Sequence, residues 1–372
     1  MSITVLQVLP ALEVGGVERG TLEVAAALVK RGHKSMVISS GGRMVRELEE
    51  QGSKHIHLPI AIKSPFTFRL VPRLRRIMIE NGVDILHARS RMPAWVCYLA
   101  WKTMNRQTRP RFITTVHGPY TVNFYSRVML RGERVIAISD FIHDYICKNY
   151  PDIDRNKIRI IHRGVDPARY FHGFTPSVEW MNSWNLEHAA LKDKFLITLP
   201  ARITRWKGHD DFIEIIAGLR AKNIPAHGLL AGDAHPRRKP YLQELKIRIG
   251  KKRLDQHITF LGHRNDMREI MSVSDVVLSL AKVPEAFGRT ALEALALGIP
   301  VVAYDHGGAS EVLARMFPKG KVKPFDTQGV VKTITDLYTQ PEKPGTETPF
   351  TLDRMLGQVI TLYEEILRAP RA

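Results

Sequence analysis

The chain is expected to be an α/β protein made of two tandem doubly wound units. Three observations carry that expectation. Its 372 residues exceed what one small core requires and suit two domains of ordinary size. Short β-branched apolar runs alternate with stretches of helical periodicity from the first residues onward. That rhythm gives way to irregular, aromatic text between Pro167 and Lys194, and then it restarts.

"ITVLQVLP" reads as the first strand, and apolar residues at helical spacing follow from Val17 to Lys30. "KSMVISS", "HIHLP", "VDILHARS", "RFITTVHG", "RVIAIS" and "IRIIHRGVD" continue the strand series. Nearly continuous apolar strands separated by helices indicate a parallel sheet covered on both faces. After the break, "FLITLPA", "AHGLLAGD", "HITFLGH", "DVVLSLA" and "IPVVAYD" repeat the pattern. "TQPEKPGTETP", Thr339 to Pro349, reads as an exposed loop or linker, and Leu352 to Leu367 as a last amphipathic helix. The expected division is a first domain over 1–166, an irregular linker over 167–193 and a second domain over 194–350.

Composition narrows the class. A hydrophobic fraction of 44% with 25% charged residues is that of a soluble globular protein. "MSITVLQVLP" lacks a basic signal-type start, and no run approaches the roughly 18 apolar residues of a membrane span, so a cytosolic chain is expected. Cys97 and Cys147 have no metal-ligand spacing around them and read as buried thiols. The charge is uneven: Lys54 to Arg134 holds 15 basic and 3 acidic residues, +12 of the chain's net +18. An anionic partner for that face is implied. Nucleic acid is the weaker candidate, because Phe66, Phe68, Trp95, Tyr98 and Trp101 sit among aliphatic residues and do not alternate with cations.

Ligands of open α/β sheets bind beyond the carboxyl ends of the strands, so the segments just after strands are the places to search. "EVGGVERG" follows the first strand; Gly15 and Gly16 there would let backbone approach a phosphate or sugar. His117 stands at a strand end in "HGPY". In "RITRWKGHDD", Arg202 and Lys207 suit a diphosphate, the guanidinium by two-point contact and the ammonium as a movable charge. "DVVLSLAKVPEAFGRTALEALALG" reads as strand, loop, helix. The turn through Phe287, Gly288, Arg289 and Thr290 would present amides to phosphate. Glu285 in the loop and Glu293 in the helix can only accept hydrogen bonds, so each would face a ligand's hydroxyls. A sugar nucleotide has that division of groups.

These motifs, in this order, resemble those of the retaining glycosyltransferases of family 4, with the two-domain GT-B architecture in which two Rossmann-like domains face a cleft. The resemblance spans nearly the whole chain: "GGVER", "HG", "VIAIS", "RGVD", R-x4-KG at Arg202 to Gly208, "LLAGD", "FLGH", and the E-x7-E pair Glu285 and Glu293. Arg163 departs from it, since many relatives have Asn before "GVD". The resemblance implies that Arg202 and Lys207 hold the donor diphosphate, Glu293 the ribose and Glu285 the transferred sugar. It places Gly15 and Gly16 at the phosphate and acceptor side and His117 near the donor sugar, and it implies that a helix over 351–368 packs back on the first domain. Glu285, His117, Arg202 and Lys207 are the catalytic candidates.

The expected reaction is sugar transfer from a nucleotide diphosphate sugar to an acceptor hydroxyl with retention, in lipopolysaccharide or other cell-envelope glycan synthesis. A sugar-nucleotide epimerase is the alternative on the same architecture. No cofactor is expected, and no metal, since no D-x-D-like pair stands in a convincing loop. Many similar enzymes extend acceptors anchored in the cytoplasmic leaflet, and "SPFTFRLVPRLRRIMIE" sets apolar residues among Arg69, Arg73, Arg75 and Arg76, as an anionic membrane surface would require.

Overall fold

A computed structural model describes residues 2–13, 15–233 and 239–371, the side chain of residue 239 excepted. The chain divides into two compact units, Met1–Arg163 with Asp353–Ala372, and Gly164–Leu352. Each unit is built on one parallel sheet.

In the first unit β1 (Thr4–Val8), β2 (Lys34–Ser39), β3 (Lys54–His57), β4 (Ile85–Ala88), β5 (Arg111–Val116), β6 (Arg134–Ala137) and β7 (Ile158–Ile160) lie in the order β3-β2-β1-β4-β5-β6-β7. Every residue of β1, β4 and β5 is buried, as strands covered on both faces require. The helix Gly16–Lys30 is tied to β1 by Gln7 Nε2, which donates to the Thr21 carbonyl at 3.1 Å. On the C-terminal helix Leu352–Arg368, Tyr363 is fully buried, and its hydroxyl meets His87 Nδ1 at 2.7 Å while His87 Nε2 meets Thr115 Oγ1 at 2.6 Å. Burial holds His87 neutral, its pKa well below the usual histidine value.

In the second unit β8 (Phe195–Pro200), β9 (Ala226–Ala231), β10 (Ile258–Gly262), β11 (Val276–Ser279), β12 (Val301–Tyr304) and β13 (Lys321–Val322) lie in the order β10-β9-β8-β11-β12-β13. Strand order therefore reverses between β1 and β4 in one sheet and between β8 and β11 in the other. At such a reversal the following helices depart to opposite faces, which opens a crevice at the carboxyl ends. Both reversals are fixed at the opposite end by an aspartate. Asp84, just before β4, accepts from the Thr4 amide at 2.8 Å, and Asp275, just before β11, accepts from the Leu196 amide at 2.6 Å.

The strands expected from sequence all form, and β13, only two residues long, adds one that the sequence does not announce. Residues 167–193 are not an irregular linker throughout. They contain the helix Val178–Glu187, capped by Ser177, whose Oγ accepts from the Trp180 amide at 3.2 Å. Trp180 and Trp184, one turn apart, stack at 5.1 Å, and Trp184 joins the core cluster with Leu191, Leu196, Leu229 and Ile270. Packing of those indoles overrides the weak amphipathic pattern of the stretch.

His209 is fully buried at the start of the helix His209–Ala221, and burial pushes its pKa down to about 4. An unfolded chain protonates this imidazole below about 6.5, so between those values the unfolded state binds more protons. Stability is therefore lost as pH falls from about 6.5 to about 4, by about 3 kcal/mol for this group alone. Urea unfolding at stepped pH should show the decline, and His209→Gln should make it shallower by this group's share.

Candidate functional site

The adjacency of β8 and β11 brings two loops together at the reversal of the second sheet. The loop after β8 carries Arg202 and Lys207; the loop after β11 carries Glu285. They are joined by the Lys282 amide, which donates to the Trp206 carbonyl at 2.7 Å. Gly208 (φ +79°) permits that approach, since an added Cβ would stand 2.2 Å from the Leu280 carbonyl oxygen. Lys207 Nζ donates to Glu285 Oε1 in a mostly buried ion pair, with the ammonium also 4.5 Å from the centre of the Trp206 ring. Arg202 is exposed, with no ion pair to any described residue.

Behind Glu285 the backbone is held by a third loop. Its carbonyl accepts from the Gly308 amide at 2.7 Å, at the start of the helix Gly307–Met316. The helix Arg289–Ala296 begins at Gly288, whose left-handed φ of +78° turns the chain into it and whose missing Cβ clears Ala309. No side chain caps this helix at Gly288, and a helix start of this kind is where backbone amides can receive an anion. Inside it, Glu293 accepts from Arg289 Nε at 2.9 Å. Tyr170 lies close by: burial and then the Glu293 carboxylate push its phenol up to about 12.

In the first unit Gly15 precedes the helix Gly16–Lys30 in an extended conformation that any residue can adopt, and a Cβ added at Gly16 would meet nothing within 4 Å. A Cβ added at Gly15 would fall 2.4 Å from Glu18 Oε2, so the open space at this helix N-terminus lies over Gly16 alone. His117, just beyond β5, takes a hydrogen bond at Nδ1 from Arg163 Nη2 at 2.9 Å, and its Nε2 is buried without a partner among the described residues. Arg89, at the end of β4, is 2% exposed. A cavity of about 20 Å³, room for one water, lies between Arg89, Arg163, His87 and Thr115.

Two family models match the chain, one described as Glycosyltransferase Family 4 over residues 14–169 and the other as Glycosyl transferases group 1 over residues 183–346. A solved glycosyltransferase from Rickettsia africae is 32% identical, with a TM-score of 0.87 over 99% of this chain and all of that one. The chain belongs to glycosyltransferase family 4. The N-acetyl-alpha-D-glucosaminyl L-malate synthase of Bacillus anthracis is 23% identical over 95% of both chains. Anabaena HepE, solved with UDP and glucose, shares the fold at 20% identity and a TM-score of 0.83, over 98% of this chain and all of that one. Two doubly wound units and these neighbours make the fold GT-B.

Within this glycosyltransferase, Arg202, Lys207, Glu285, Gly288, Arg289, Thr290 and Glu293 all fall at the carboxyl end of the second sheet or at the helix that follows β11. Phe287 is the exception in kind: its ring is buried against Phe350 at 5.6 Å, so it can offer a ligand only its backbone. Gly15, Gly16 and His117 belong to the first unit. Two features escape the sequence. Lys207 is expected to face phosphate and Glu285 sugar, yet in the structure they pair with each other. Tyr170 is also missed; its only signal is an aromatic residue four positions after "GVD".

If Lys207 receives a ligand's phosphate, Glu285 is its competitor, and Glu285→Gln should leave nucleoside diphosphate affinity unchanged or raised severalfold. The same variant should lose sugar transfer. Calorimetric titration with nucleoside diphosphates, beside turnover, checks both halves, and a large drop in affinity would remove the competition.

Proposed function

We propose that this family 4 glycosyltransferase moves a sugar from a nucleotide diphosphate sugar to an acceptor hydroxyl with retention at the anomeric carbon. The supporting observation is the grouping at the β8–β11 reversal: Arg202 and Lys207, an uncapped helix start at Gly288 to Thr290, and the hydrogen-bond acceptors Glu285 and Glu293. As the bond from the anomeric carbon to the diphosphate breaks, negative charge grows on the leaving group and positive charge on the ring. Arg202, Lys207 and the helix amides oppose the first. Glu293 takes the ribose hydroxyls and Glu285 a hydroxyl of the transferred sugar. Gly15 and Gly16 serve the phosphate and acceptor side, and His117 the donor sugar. These cationic groups do the work that a divalent metal does elsewhere, and no metal is needed in this reading. HepE bound to UDP-glucose, on the same fold, supports a nucleotide sugar as donor.

Arg202→Ala and Lys207→Ala should each slow transfer by an amount equivalent to about 2 to 4 kcal/mol, and turnover should survive excess EDTA. Steady-state rates and calorimetry with nucleoside diphosphates read the outcome. Unchanged rates in both variants, or activity that vanishes with EDTA and returns with magnesium, would count against the cationic site.

The proposed acceptor is a glycan or glycolipid of the cell envelope, reached from the cytoplasmic face. WaaG, described as a glycosyltransferase of lipopolysaccharide biosynthesis, has the same fold at a TM-score of 0.68, 16% identity and 98% coverage of both chains. No helix of the described residues is long and apolar enough to cross a membrane. The basic face offers a peripheral contact instead. On the helix Leu70–Glu80, Leu74 and Met78 are buried while Arg73, Arg75 and Arg76 are exposed, and Arg69 with Phe66 (67% exposed), Phe68 and Ile79 completes an apolar and cationic surface. Each cation near an anionic bilayer contributes on the order of 1 kcal/mol. Co-sedimentation should occur with anionic vesicles and not zwitterionic ones, weaken with salt, and fall when Arg73, Arg75 and Arg76 become Ser. A triple variant that sediments like the parent would move the contact elsewhere.

A further inference from the structure

The first unit makes room for the side chain of Arg163. That side chain is 9% exposed. Gly20, on the helix Gly16–Lys30, makes the room: a Cβ there would fall 2.1 Å from Arg163 Nη1 and 2.8 Å from its Cζ. Arg163 Nη1 also lies 3.9 Å from Met355 Sδ, on the C-terminal helix. The other end of the guanidinium, Nη2, donates to His117 Nδ1 at 2.9 Å.

A guanidinium is donor-only and stays charged. Any nitrogen that it contacts at hydrogen-bond distance must present a lone pair, so His117 Nδ1 carries no proton. The neutral ring then has its proton on Nε2, the atom that is buried and without a partner among the described residues. We propose that Arg163 is a positioning residue for His117: it fixes the imidazole as the neutral Nε2–H tautomer, so that the histidine meets a ligand as a hydrogen-bond donor and not as a base. A proton added at Nδ1 would point at a cation that cannot accept it. The other charged and titratable groups around the ring act in the same direction. Arg89 and His87 on the β4 side disfavour an imidazolium, and burial does so most of all, so the His117 pKa lies well below the usual histidine value. Tyr120 adds no charge, its phenol being pushed up by burial and bonded to the His117 backbone. Glu23 acts on Arg89, whose charged form it favours.

The oxygen that receives the Nε2–H rests on the proposed function, in which it belongs to the donor sugar. The tautomer does not. It can be read in the ligand-free protein from the imidazole nitrogen shifts of 15N-labelled chain, with His117 assigned by difference from His117→Gln. In the parent, His117 should show an unprotonated, hydrogen-bonded Nδ1 and a protonated Nε2, and should stay neutral as pH falls through the ordinary histidine range. Arg163→Asn should yield a tautomer mixture or a ring that titrates in that range. Gly20→Ala provides a second route with Arg163 still present, because alanine suits a helix backbone and the atom that must move is the far end of the arginine. It should shift His117 the same way. If transfer is measurable, both variants should gain an acidic limb along which kcat/KM falls about tenfold per pH unit, a limb the parent lacks. An Nδ1–H tautomer in the parent, a parent ring that titrates near neutrality, or two folded variants with parental His117 shifts would each overturn the assignment. Absence of transfer activity with the expected shifts would sink the proposed function and leave the role of Arg163 standing.

Discussion

One carboxylate–amide bond at each strand-order reversal sets the geometry on which both units depend. Asp84 to the Thr4 amide and Asp275 to the Leu196 amide lock β4 beside β1 and β11 beside β8 at the end away from the candidate site. Parallel pairing then carries the register along the strands, Val5 to Ile85 in one sheet and Val276 to Ile197 in the other. Loops far apart in sequence emerge side by side at the carboxyl ends. Asp275 bears a cost for this, since burial raises its pKa while the Leu196 amide opposes the rise. The same device in both sheets suits a doubly wound topology, whose two central strands stay adjacent while their helices leave to opposite faces.

Charge in each unit is arranged by partial compensation. In the second unit Glu285 neutralises Lys207 and Glu293 engages Arg289, while Arg202 remains exposed. In the proposed function, a ligand phosphate would exchange one anion for another at Lys207 and add a new contact at Arg202. The ammonium is thereby held in place without being left as an uncompensated charge in a mostly buried position. In the first unit the buried cations Arg89 and Arg163 sit beside imidazoles that remain neutral, so positive charge there comes from arginine alone.

Much of this was legible in the sequence, and the reasons differ by element. Twelve strands announced themselves because each is an apolar, β-branched run bounded by loops; β13 did not, being only Lys321–Val322. The helix Val178–Glu187 was hidden because its anchors are two indoles, whose burial against Leu196 and Leu229 is a tertiary fact. Arg202, Lys207, Glu285 and Glu293 could be chosen from residue chemistry and position after strands. Their pairing could not, since Lys207 and Glu285 are 78 positions apart and meet only through the β8–β11 contact. Tyr170 beside Glu293, and Gly20 making space for Arg163, are likewise products of packing that leave no spacing pattern behind.

The central claim is that the β8–β11 reversal is the seat of a nucleotide diphosphate. A crystal structure of the chain with a bound nucleoside diphosphate tests it most directly. The account predicts phosphate oxygens within hydrogen-bond reach of Arg202, of Lys207 turned from Glu285, and of the amides at the start of the helix Arg289–Ala296, with both ribose hydroxyls on Glu293. A diphosphate bound away from those groups, with the Lys207–Glu285 pair intact, would contradict it.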